Sequence, residues 1–117
     1  MAKYLVLIYG DEQRWANRTD DEWEVNHDGH RAFQEAAGSG VLGGHRLESS
    51  STATSLRAGA GTPTITDGPF LETKEALGGF YVVEATDLDE VIRWSSLLRE
   101  TKDDHSGIEV RPIMEPS

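Results

Sequence analysis

The stretch Tyr4-Leu5-Val6-Leu7-Ile8-Tyr9 constrains this chain most. It is short, apolar and β-prone, and Gly10-Asp11 punctuates its end, so it reads as a buried strand. Side chains alternate between the two faces of a sheet. Leu5, Leu7 and Tyr9 therefore point one way, and Tyr4, Val6 and Ile8 the other. Both sets are apolar. One layer of helices buries only one of them, and a second copy of the chain is the simplest cover for the other. A homodimer is the expectation.

The rest of the chain supplies one such helix layer. Asp20 to Ala37 is predicted helical, capped by Thr19 or Asp20 and favoured by the acidic residues of its first turn. At about 100° per residue, Trp23, His27, His30, Phe33 and Ala37 share one face. Gly29 weakens the middle of this helix by roughly 1 kcal/mol relative to Ala. Val41 to Leu47 reads as a second strand. Thr52 to Arg57 and Thr62 to Thr66 read as a hairpin, with Pro63 placing the latter at an edge or delaying its start. Gly78 to Glu84 is the next strand. Thr86 is the expected cap of a second helix, whose inner face carries Leu88, Val91, Ile92, Ser95 and Leu98. Ile108 to Ile113 closes the chain as a strand. Without the hairpin the order is βαβ-βαβ, an α+β, ferredoxin-like plan with an inserted hairpin, in a single domain over residues 1–117.

Composition narrows the partners. Twenty-one acidic residues against 11 basic give a net charge of −10, which argues against nucleic-acid and anionic-membrane surfaces. With no cysteine, disulfides, thiol catalysis and thiolate metal sites are excluded. The first nine residues are too short an apolar run for a signal peptide, and nothing approaches the ~20 apolar residues of a membrane span. A cytoplasmic protein is expected.

The run Asp67-Gly68-Pro69-Phe70-Leu71-Glu72-Thr73-Lys74-Glu75 is the most specific string in the chain. Pro69 fixes a turn, Gly68 before it is biased to extended backbone, and Phe70 is expected to anchor the loop in the core. Glu72, Lys74 and Glu75 are open to two readings. They are a solvated turn whose ion pairs contribute about 0–1 kcal/mol each, or polar groups displayed by a rigid corner as a site.

Several segments together resemble the DGPF group of the YCII-related proteins, from one end of the chain to the other. They are Lys3 to Gly10, Gly40-Val41-Leu42 with Gly44, Asp67 to Phe70, Glu72 to Glu75, Leu77-Gly78-Gly79 and Glu109-Val110-Arg111-Pro112. The resemblance implies a dimeric α+β barrel, with two ferredoxin-like sheets packed face to face. It implies acid–base enzymology through a His of the first helix and a carboxylate, the His corresponding to His30. It also implies an association with alternative sigma factors of the extracytoplasmic type.

The candidate catalytic residues are therefore His30, Asp67, Glu72 and Lys74, in a pocket between sheet and helices, working on a small-molecule ligand without a cofactor. Partial burial and a carboxylate from Asp67 or Glu72 would tune His30 as a general acid or base. The plainer reading is a core histidine bonded to backbone. The competing function is a non-catalytic regulatory or interaction protein. His27 and His30 at i, i+3, with His45 and Asp67, have the chemistry of a zinc site, but no HExxH-type signature is present and no metal is expected. Arg46, Arg57 and Arg111 would clamp an anionic ligand if their strands met. Otherwise they offset the acidic surface.

Overall fold

The computed structural model describes residues 1–116. Its elements run β1 (Ala2–Asp11), α1 (Glu12–Ala16), α2 (Asp20–Ala37), β2 (Val41–Arg46), β3 (Thr54–Arg57), β4 (Thr64–Asp67), β5 (Glu75–Ala85), α3 (Leu88–Ser95) and β6 (Ser106–Pro112). Four strands form an antiparallel sheet in the order β2-β5-β1-β6. Strands β3 and β4 pair separately as a two-stranded ribbon. The chain is thus α+β, and its sheet order with α2 and α3 as crossovers is that of a ferredoxin-like plan with an inserted hairpin.

Local chemistry accounts for most of the boundaries. Thr19 caps α2 through a full capping box with Glu22. The cap of α3 is Asp87 rather than Thr86: the Asp87 carboxylate accepts from the Glu90 N–H, and Glu90 accepts in turn from the Thr86 N–H. Asp11 caps α1, a short helical turn, by accepting from the Gln13 N–H. Strand β5 starts three residues before the expected Gly78, because Glu75, Ala76 and Leu77 pair with Asp11, Gly10 and Tyr9.

The core lies on one face of the sheet. Tyr4, Val6, Val83 and Ala85 of the strands pack with Phe33, Val91 and Leu98. The second apolar set of β1 is on the other face, where Leu5 lies opposite Val82 and Leu7 opposite Phe80. Helix α3 turns inward with Val91 and Ser95, whereas Leu88 and Ile92, expected inside, are 45% and 47% exposed. Leu98 is fully buried but lies beyond the helix. The shortest extent of the molecule is 19 Å, the depth of one sheet and one helix layer.

The Asp67–Phe70 corner departs from expectation in two respects. Gly68 has φ +102°, a conformation that strongly favours glycine, instead of extended backbone. Its N–H donates to Ala53 O and its carbonyl accepts from Ser55 Oγ, both at 2.7 Å. Phe70 is not a core anchor. It is 56% exposed, with the Arg57 guanidinium carbon 3.9 Å from its ring centroid.

Candidate functional site

A cleft of about 490 Å³ opens between α2 and the β2–β5 end of the sheet, within the range of about 300–1,000 Å³ found for small-molecule sites. Trp15 of α1 forms part of its wall, and two glycines make room for the indole. A Cβ on Gly10 or Gly78 would lie 2.3 Å from the Trp15 ring. The pairing of β1 and β5 skips Gly78, which sits as a bulge between the Ile8–Gly79 and Tyr9–Leu77 pairs. The seated indole donates from Nε1 to Ser106 Oγ at 2.9 Å.

Above it the wall is cationic and aromatic. The Arg18 guanidinium carbon lies 5.8 Å from the Trp15 ring centroid and 4.8 Å from that of Trp23. Arg18 is almost fully buried and pairs with Asp103 at 3.4 Å. The Arg46 guanidinium carbon lies 4.6 Å from the same Trp23 centroid, and the His27 ring is 5.9 Å away. Cation–π contacts of this kind contribute about 0.5–2 kcal/mol each.

The deep end is built around His30. Gly29 lets α2 approach the segment after α3 closely: a Cβ there would meet Leu97 O at 2.9 Å and Arg99 N at 3.0 Å. One residue further along each segment stand His30 and Glu100. A 3₁₀ turn over Arg99–Thr101 rotates Glu100 inward, leaving it 4% exposed. His30 Nε2 is 3.1 Å from Glu100 Oε2, and His30 Nδ1 is 2.7 Å from Tyr81 Oη. Asn26 Nδ2 donates to Glu100 Oε2 at 2.8 Å, and Gln34 Nε2 to Tyr81 Oη at 3.3 Å.

Burial pushes the Glu100 carboxyl up, but hydrogen bonding and charge from His30, together with the Asn26 amide, outweigh it and hold the group below its usual 4.5. Its Oε1 is buried and meets no donor among the described residues. The Tyr81 hydroxyl is pushed above its usual 10.0 by burial, with Glu100 adding to the rise and Gln34 opposing it.

These contacts fix the direction of the hydrogen bonds. An ionised Glu100 only accepts, so His30 Nε2 carries a hydrogen. With His30 neutral, Nδ1 accepts from the Tyr81 O–H and leaves a lone pair on Oη for a ligand proton. With His30 protonated, Nδ1–H donates to Oη and the phenolic O–H turns outward as an acid. Tyr81 lines the cleft, so its hydroxyl can pass a proton between a ligand and His30 while Glu100 balances the charge.

Of the expected catalytic residues only His30 lines this cleft, and His27 and His45, weighed as metal ligands, line it as well. Its carboxylate partner is Glu100, not Asp67 or Glu72. Asp67, at the end of β4, and Glu72 and Lys74, in the following loop, are exposed and outside the cleft wall. The three arginines are likewise separated: Arg57 lies on Phe70, Arg111 pairs with Glu109, and only Arg46 reaches the cleft. Among the described residues no group of three or more His, Cys, Asp or Glu side chains is placed to hold a metal ion. His45 lies opposite Phe80 in the sheet register, and both ring nitrogens of His30 already have partners. Tyr81 and Glu100 escaped the sequence reading. For Tyr81 a signal existed: strand alternation puts it on the helix-covered face between Gly79 and Val83.

A family model of the YCII-related domain matches residues 2–117. An uncharacterised protein of Rhizobium meliloti (strain 1021) is 35% identical over 114 residues, covering 94% of this chain and 90% of its own. With the ferredoxin-like sheet and a match that spans nearly the whole sequence, the chain belongs to the YCII-related family.

Proposed function

We propose that this protein binds a small molecule in the cleft and moves a proton on it without a cofactor. His30 is the base or acid, Tyr81 the relaying hydroxyl and Glu100 the counter-charge. The observation that carries this reading is the Tyr81–His30–Glu100 chain, with contacts of 2.7 and 3.1 Å, in the wall of a 490 Å³ cleft. A buried carboxylate behind an imidazole that reaches a cleft is the arrangement general acid–base chemistry needs. Asp67, Glu72 and Lys74 enter this reading only as a corner that shapes the neighbouring surface. The corner also supports membership of the DGPF group. The test is loss of C–H signals from carbonyl compounds and organic acids incubated with the protein in D₂O. The wild type exchanges at least one such proton, and His30→Ala and Tyr81→Phe do not. Equal exchange by all three proteins overturns the proposal.

The apolar sheet face away from the helices supports a homodimer. Leu5, Leu7, Phe80 and Val82 lie opposite the core, and packing them on a second copy would build the barrel that the resemblance implies. A second reading, a non-catalytic interaction protein acting beside an extracytoplasmic-type sigma factor, draws on the ribbon and the loop after it, where Leu56, Ile65, Phe70 and Leu71 are all exposed. Binding of a protein partner that survives His30→Ala and fails in Leu56→Asp/Ile65→Asp would favour it.

A further inference from the structure

We propose that the ligand is a small organic carboxylate whose anionic group sits on Arg46 while its apolar body lies against Trp15 and Trp23. This rests on the reading of the cleft as a small-molecule site and adds the class of molecule.

The charged groups of the wall decide it. Glu100 is bound by His30 and Asn26. Glu12 accepts from the N–H of Ser50 at 2.8 Å and from its hydroxyl. Arg18 pairs with Asp103. Arg46 is the exception: its guanidinium lies over Trp23, and among the described residues its side chain has no hydrogen bond or ion pair. The one charged side chain of the cleft left without a polar partner is thus a cation, in a protein of net charge −10.

Stacking on the indole orders the guanidinium plane and leaves its N–H edge for a ligand. A planar carboxylate matches that fork with two parallel hydrogen bonds. Phosphate is the competing anion, since His27 and His45 also line the wall. The anion at Arg46 and the proton transfer at Tyr81 and His30 are then separate ends of one site, so the favoured acids carry their exchangeable proton away from the carboxylate.

Matched acids and amides test this. Quenching of tryptophan fluorescence would be titrated with benzoate against benzamide, with 4-oxopentanoate, whose exchangeable protons flank a ketone away from the carboxylate, against 4-oxopentanamide, and with inorganic phosphate. The expected result is saturable binding of at least one acid, about tenfold or more tighter than its amide or phosphate. Arg46→Gln removes that preference. Arg46→Lys restores part of it, and His30→Gln leaves acid binding within about threefold while abolishing proton exchange. Amides binding as tightly as acids, or an unchanged preference in Arg46→Gln, overturns the carboxylate assignment and leaves the proton-transfer reading intact. Acids bound through Arg46 with no exchange in any of them have the opposite effect. Failure of every probe to bind overturns both.

Discussion

His30 and Glu100 meet at 3.1 Å across 70 residues of sequence, and the glycine beside the histidine makes the meeting possible. Gly29 lies against the Leu97–Arg99 backbone so closely that a Cβ has no room. An alanine there would gain about 1 kcal/mol of helix propensity and would still have to push the two segments apart. Gly29→Ala is expected to lower stability by about 1–3 kcal/mol net and to abolish proton exchange. Urea unfolding and the D₂O assay check this. A more stable and fully active variant would show that the approach is not required.

Glu100 makes the protein acid-sensitive in a defined window. Its carboxyl is held below 4.5 in the fold, so the unfolded chain takes up the proton first as pH falls. The stability it contributes is complete above 4.5 and is lost as pH drops through the lower folded value. Urea midpoints measured from pH 7 to pH 3 should fall less steeply for Glu100→Gln than for the wild type. At pH 7 that variant should be less stable by about 1.5–3 kcal/mol, the scale of a hydrogen bond to a charged group.

Tyr81 should titrate above the usual tyrosine value of 10.0. Its raised value means stability is retained below 10 and falls as pH rises through the folded value, because the unfolded chain loses the phenolic proton first. Ultraviolet titration should show a late tyrosine that disappears in Tyr81→Phe. Identical titration curves for the two proteins would contradict the buried hydroxyl.

Gly78→Ala should unseat Trp15. A Cβ would lie 2.3 Å from the indole, so the ring must leave the sheet and give up its bond to Ser106. Red-shifted emission and a loss of about 1–3 kcal/mol are expected. Unchanged emission would contradict the seating.

Static light scattering should give about twice the chain mass of 12.9 kDa, and Leu5→Lys/Val82→Lys should reduce it to one chain. A monomeric wild type at micromolar concentration would rule out the dimer.

The legible parts of the sequence were those governed by local periodicity. The strand Tyr4–Tyr9, the capped helix Asp20–Ala37 and the inserted hairpin follow from an apolar β-prone run, capping and turn residues, and each took its expected place. His30 was legible as a polar residue on an apolar helix face. Glu100 was not: its position depends on a 3₁₀ turn after α3 that rotates it out of the helical phase of Val91 and Ser95. Gly78 offered a reason to expect a bulge but not the indole that fills it, since Trp15 lies 63 positions away. The charged run Glu72–Glu75 drew attention through specificity of sequence alone, and no element folds it toward the cleft.

The most direct test of the central claim is a ¹H–¹⁵N spectrum of the uniformly labelled protein titrated with benzoate. Shifts should concentrate at Gly44, Gly79, Tyr81 and His30, around the cleft. Shifts confined to the ribbon at Leu56 and Ile65, or to Glu72 through Lys74, with the cleft silent, would contradict the account.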